Sequence, residues 1–153
     1  MISPSEIIEL SVAIELECAA LYEVFAKTFQ GRADLVYFWK LYAEAERYHA
    51  ATIRIHQATF LPSERAPAAV DGSGARSFLE ELRGLRGRYE RELISVKEAL
   101  RIARMVEEHS EELHGRTQFF ADNPSLQDLF SKMAEEDRAH RDMLSTAEHK
   151  FGP

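Results

Sequence analysis

Two short stretches of this 153-residue chain place a carboxylate three residues before a histidine: Glu46 and His49 in "AEAERYHA", and Asp137 and His140 in "AEEDRAH". Three residues is close to one helical turn, so each pair would sit side by side on one helix face. At about 100° per residue, that face is the apolar one. Glu46 and His49 fall within a stripe centred on Phe38, Tyr42, Ile53 and Phe60, and Asp137 and His140 fall among Leu126, Met133, Leu144 and Phe151. Two further segments each aim one glutamate inward. Glu15 lies beside Ile8 and Tyr22, and Glu107 lies between the directions of Leu100 and His114; Glu17 projects further round, and Glu108 and Glu111 turn to the polar side.

Four carboxylates and two imidazoles meeting in a dry interior cannot remain bare ions, because each unpaired buried charge costs several kcal/mol. Two divalent cations would neutralise all four negative charges. Oxygen-rich donors with one imidazole per metal suit iron or manganese better than zinc, which favours thiolate or imidazole, or calcium, which needs no nitrogen. Taken singly, a glutamate at a stripe edge is usually solvated and a core histidine is usually satisfied by one hydrogen bond. The joint pattern carries the reading: Glu46 follows Glu15 by 31 residues, Asp137 follows Glu107 by 30, and Tyr22 and His114 each follow the leading glutamate by seven. The chain reads as two copies of one hairpin. Tyr22, Tyr42, His56 and His114 also face inward and are candidates for contacts around the metals. Cys18 reads as a small buried hydrophobe.

These residues need long helices to hold them. "SPSE" at 3–6 offers Ser3 as N-cap, Pro4 at the first helical position and Glu6 at the capping-box position. Ile7, Ile14, Cys18, Leu21 and Phe25 then recur at helical spacing, with Gly31 as terminator. The pattern predicts long helices over about 4–30, 34–60, 96–120 and 125–150. Residues 61–75, rich in Pro, Gly and Ser, read as a loop. Ser77 with Glu80 and Ser95 with Glu98 read as capping boxes, the first opening a connector helix over 77–93 and the second the third long helix. "ADNPSL" at 121–126 separates the last two long helices. No segment alternates with period two, so the expected fold is all-α. Short loops make helices one and two antiparallel, and three and four likewise. The long connection at 61–95 lets the two pairs associate through a crossover.

Composition bounds the rest. With 45% hydrophobic and 29% charged residues the chain is expected to fold as one globular domain over 1–153. A net charge of −7 with no basic block argues against nucleic acid. A single cysteine implies no intrachain disulfide and a reducing, cytoplasmic setting; no leader-like start and no bilayer-length apolar run point to a membrane. Val12, Leu16 and Ala20 lie away from the first helix's core stripe and imply a covered face, under the connector or against a second copy in a homodimer.

The stretches "AIELECAALYEVFA", "AEAERYHA", "EALRIARMVEE" and "AEEDRAHRDML" together resemble the ferritin-like di-iron carboxylate superfamily, most closely its rubrerythrin-like branch. The resemblance covers the four long helices and leaves the connection at 61–93 unmatched. It implies a ferritin-like antiparallel four-helix bundle holding two iron ions, with manganese possible. It makes Glu15, Glu46, His49, Glu107, Asp137 and His140 the ligands, and Glu46 and Asp137 the bridging carboxylates. The implied activity is ferroxidase chemistry on ferrous iron, or reduction of dioxygen or hydrogen peroxide with electrons from an external donor. The alternatives are a non-catalytic metal-buffering or structural bundle and a hydroxylase acting on an organic substrate. Three features depart from the rubrerythrin pattern. Asp137 stands where a Glu is usual, Ser110 stands where the third helix usually supplies a second ligand Glu, and the sequence has no cysteine-rich module for electron delivery.

Overall fold

The computed structural model describes residues 1–58, 71–118 and 124–151. Every element among them is helical: α1 (Pro4–Thr28), α2 (Ala33–Ala58), α3 (Ser73–Tyr89), α4 (Val96–Thr117) and α5 (Pro124–Phe151). The expected core position Phe60, the loop at 61–70, the end of the third long helix at 119–120 and the break at 121–123 lie outside the described residues.

α1 starts as its letters dictate. Ser3 Oγ accepts the Glu6 amide at 3.2 Å and the Glu6 carboxylate accepts the Ser3 amide at 2.7 Å, closing the capping box. It ends at Thr28 with Phe29 as C-cap, and no described glycine has positive φ, so Gly31 is not a left-handed cap. At α4, Ser95 caps the Glu98 amide at 3.1 Å, while the Glu98 carboxylate turns to Arg101.

The connector helix corrects the sequence reading. It spans Ser73–Tyr89 rather than 77–93, so Ser77 lies inside it and residues 73–75 are not loop. Asp71 accepts the Ser73 amide at 2.9 Å, which satisfies one open donor of the first turn. The earlier start also lets Ala75 join Phe78, Leu79 and Leu82 as a buried stripe. α3 packs on α1, where Arg86 and Glu17 form an ion pair. On the face anticipated to be covered, Val12 is buried and Leu16 stays exposed.

Interhelix contacts run in opposite directions along each neighbouring pair. Between α1 and α2 they join Glu15 to His49, Tyr22 to Tyr42 and Phe25 to Trp39. Between α4 and α5 they join Arg104 to Glu148, Glu107 to His140 and His114 to Asp137. α1 meets α4 through Tyr22 and Glu107 and through Glu15 and His114; α2 meets α5 through Tyr42 and His140 and through His49 and Glu136. The four long helices therefore surround one core in an all-helical bundle, each antiparallel to its neighbours.

An aromatic layer fills one part of that core. Trp39 is fully buried, with its ring centroid 5.8 Å from Tyr22, 5.0 Å from Phe25 and 5.0 Å from Phe38. Each such side chain contributes about 1.5–3 kcal/mol by burial, with aromatic contacts adding to it. This layer lies directly beside the polar one: the Tyr22 hydroxyl reaches Glu107, and the Tyr42 hydroxyl donates to the His140 carbonyl at 3.0 Å. The aromatic packing therefore closes one side of the carboxylate layer, with Tyr22 touching Glu107 directly.

Candidate metal centre

All four inward carboxylates are buried in one layer: Glu15 at 0%, Glu46 at 2%, Glu107 at 1% and Asp137 at 0% exposure. Two groups of donors close up within it. Glu15, Glu46 and His49 each offer an atom within 4.8 Å of the others, and Glu46, Glu107 and His140 do the same. Glu46 belongs to both. Its Oε2 lies 3.5 Å from His49 Nδ1 and its Oε1 lies 3.9 Å from His140 Nδ1, so one carboxylate faces both groups.

Asp137 joins neither group. Its Oδ2 is 2.6 Å from His114 Nδ1, and its Oδ1 is 4.0 Å from His49 Nδ1. The structure therefore places His114, expected only near the metals, on Asp137, expected to be a ligand. His114 Nε2 lies 3.1 Å from Glu15 Oε1 without the alignment of a hydrogen bond. Tyr22 donates to Glu107 Oε1 at 2.7 Å. The seven-residue spacing explains both contacts: in the antiparallel pair α1 and α4, the residue two turns beyond each leading glutamate meets the glutamate of the other helix. His56 lies elsewhere, its Nδ1 3.3 Å from Ser125 Oγ.

One contact was not anticipated from the sequence. His49 Nε2 lies 2.7 Å from Glu136 Oε2. A proton on Nε2 donated to Glu136 leaves Nδ1 as the nitrogen turned to Glu15 and Glu46, the arrangement in which a carboxylate orients a metal-binding imidazole. Glu136 is partly exposed and sits about 100° from Asp137 around the helix, so a wheel assigns it to solvent. Its long side chain reaches back.

Burial and crowding set the protonation of the layer. Burial pushes Glu46 well above the usual carboxylate range, and the negative Glu107 and Glu15 push in the same direction. Burial alone would raise Glu15, but the positive charge of His114 3.1 Å away and the hydrogen bond from His49 outweigh it and hold Glu15 below its ordinary value. Asp137 rises to about 6 by burial, with His114 limiting the rise. Burial opposes charge on His49, yet the hydrogen bonds to Glu15 and Glu46 push it up to about 12. His114 is pushed up to about 10, where the charges of Asp137 and Glu15 overcome burial. Burial opposes charge on His140 as well, and the Glu107 carboxylate 3.4 Å away raises it. Burial and the neighbouring carboxylates raise Cys18, Tyr22 and Tyr42, keeping all three protonated. Protons thus do the charge balancing that cations could do.

The donor atoms themselves test the fit to metal ions. Six atoms of this layer are buried without a hydrogen-bond partner: Glu15 Oε1, Glu46 Oε1, Glu107 Oε2, Asp137 Oδ1, His114 Nε2 and His140 Nδ1. Each such atom costs about 1–3 kcal/mol, and native interiors avoid that cost unless something else satisfies the group. Carboxylate oxygens with one imidazole in each group match a hard or borderline divalent ion, so the residues fit. Among the described residues no helix is long and apolar enough to cross a membrane. No family model, curated protein or solved structure matches the chain.

Proposed function

We propose that the chain is a ferritin-like di-metal protein of the rubrerythrin-like kind, binding two iron ions and using them in ferrous oxidation or in reducing dioxygen or hydrogen peroxide. What carries the reading is the pair of buried donor groups, Glu15–Glu46–His49 and Glu46–Glu107–His140, meeting at one shared carboxylate. Manganese satisfies the same donors. Bound iron would supply the one-electron chemistry that carboxylates and imidazoles do not.

The protein's own residues would bind, orient and shield. Glu46 would hold the two positions together through its two oxygens. Glu136 would fix the His49 ring, and Tyr22 would hold Glu107 by one oxygen while leaving the other, Oε2, 3.4 Å from His140 Nδ1. The aromatic layer of Tyr22, Trp39 and Tyr42 would keep water from one side, which strengthens every charge interaction inside. An external donor would supply electrons for any repeated reduction.

Anaerobic loading with ferrous iron, elemental analysis and then mixing with dioxygen or peroxide tests this reading. The expected result is two irons per chain, one for each donor group, and a near-ultraviolet absorbance that grows with the oxidant. Only trace metal after loading would refute it. Full loading without an oxidant-dependent change would instead identify a metal store.

A further inference from the structure

We propose that His114 makes this centre unsymmetrical: by holding Asp137 through one oxygen, it reduces Asp137 to a one-oxygen ligand of the His49 position and leaves Glu46 as the only carboxylate spanning both positions. The inference rests on the di-metal reading above.

The two halves of the chain repeat the same plan, Glu15 and Tyr22 with Glu46 and His49, then Glu107 and His114 with Asp137 and His140. They differ at two of these places, Tyr22 against His114 and Glu46 against Asp137. Those two differences touch each other, at 2.6 Å. A carboxylate that spans two ions needs both of its oxygens. Glu46 has one oxygen towards each imidazole and its Oε1 lacks a hydrogen-bond partner. Asp137 has Oδ2 engaged by the His114 N–H, so only Oδ1, itself without a partner, can reach a metal, and it faces His49.

His114 cannot readily let go. Its ring is fully buried, with Nδ1 on Asp137, Nε2 against Glu15 and one side against Phe130 at 5.8 Å between centroids. Turning the ring would leave Asp137 Oδ2 and the imidazole unpaired in the core, the costly outcome for buried polar groups. The His49 position therefore collects Glu15, Glu46 and His49, and Asp137 Oδ1, outside that close group but 4.0 Å from His49 Nδ1, is the fourth donor it can draw in. The His140 position collects Glu46, Glu107 and His140, with the His140 side chain 17% exposed. The first should fill first and hold tightly. The second should be the exchangeable ion, with more of its coordination sphere left for solvent or an oxidant. His114 is a positioning residue in this scheme, acting through Asp137.

Anaerobic calorimetric titration of the whole chain with cobalt(II), followed in parallel by visible absorption, separates the steps. Wild type should bind in two steps whose affinities differ by roughly tenfold or more. Asp137→Asn should weaken the tighter step by about tenfold or more, within the range seen when a metal-site contact is lost, and leave the weaker step unchanged. His140→Ala should abolish the weaker step alone. His114→Phe should free Asp137 to span both positions and bring the two affinities together. If that variant does not fold, Asp137→Asn still decides. Two equal steps in wild type, or equal weakening of both steps by Asp137→Asn, would overturn the inference while leaving the di-metal reading intact. A wild-type chain that binds no cobalt would overturn the di-metal reading itself.

Discussion

A metal ion bound in this layer would have to displace protons, and the raised groups name which. In the metal-free protein His49, pushed up to about 12, carries a proton throughout the neutral range, and Glu46, raised well above the carboxylate range, carries one too. Filling the His49 position needs a bare Nδ1 and an ionised Glu46, so it releases both. Asp137, at about 6, is already ionised above neutrality and contributes little there. His114 keeps its proton because its Nδ1–H is what holds Asp137. Two protons released per ion raise the logarithm of the apparent association constant by two for each pH unit, or about 2.7 kcal/mol per unit. A solvated Glu and His at their ordinary values of roughly 4.3 and 6.5 would release no more than about a quarter of a proton between pH 7 and 8. That window therefore discriminates. Calorimetry with manganese(II), which avoids oxidation, in buffers of different ionisation enthalpy counts the protons directly, and the same titration at pH 7 and 8 gives the slope. A flat affinity with fewer than about one proton released per ion would refute the reasoning, because His49 would then be neutral beside Glu15 and Glu46.

Three further outcomes follow from the same geometry. In the metal-free protein His49 and His114 have folded values raised above the ordinary 6.5, so their stabilisation is complete below about pH 6.5 and lost as pH rises through about 10 for His114 and about 12 for His49; raised Glu46 works in the same direction. Urea melts at pH 6.5 and pH 10 should show stability falling with pH, by an amount on the order of a few kcal/mol by linkage, and a rise would contradict the assignment. Tyr22→Phe removes the 2.7 Å donor from Glu107 and leaves a buried oxygen unpaired, so it should cost about 1–3 kcal/mol in a urea melt; a neutral result would mean that Glu107 is satisfied without it. Ser110, buried three residues beyond Glu107, offers no second carboxylate on α4, so the iron-loaded protein should show no strong preference for peroxide. A stopped-flow peroxide rate more than about tenfold above the dioxygen rate at equal concentration, a barrier difference of about 1.4 kcal/mol, would count against that ranking.

Local signals in the sequence worked where local chemistry decides. Ser3, Pro4 and Glu6 start α1 because the capping box closes within four residues and needs nothing else. Ser77 and Glu80 spell the same box and start nothing. Glu80 pairs with Arg83, and the helix begins four residues earlier, where Asp71 caps Ser73 and Ala75 can be buried. Where two starts compete, packing against the neighbouring helix chooses, and a short letter pattern does not contain that neighbour. The inward face was legible for the same reason that α1 was: periodicity reports the angle around a helix. It placed Glu15, Glu46, His49, Glu107 and Asp137 on faces that are buried in the structure.

Angle is not depth, and that difference accounts for what the sequence could not give. Asp137 and Glu46 have equivalent angles on α5 and α2, but the aspartate is one methylene shorter and its carboxylate stays closer to its own backbone. There it meets the ring of His114 rather than the gap between two imidazoles. A tyrosine at 114, as at 22 in the other half, would present a single hydroxyl two turns from Glu107; histidine presents two nitrogens on opposite sides of a ring and can lie between Asp137 and Glu15. The short acid and the two-sided base thus suit each other, and neither alone produces the asymmetry. With Glu at 137 the longer arm could bypass the ring, and with Tyr at 114 the aspartate would lose the cation that balances it. Restoring one residue of the pair should therefore disturb the core more than restoring both. In a double-mutant cycle, His114→Tyr combined with Asp137→Glu should be more stable in the metal-free form than the sum of the single changes predicts, by about 0.5–3 kcal/mol for residues in direct contact. Additivity within roughly 0.5 kcal/mol would mean that the two departures from the repeat arose independently and that their contact at 2.6 Å carries no coupling.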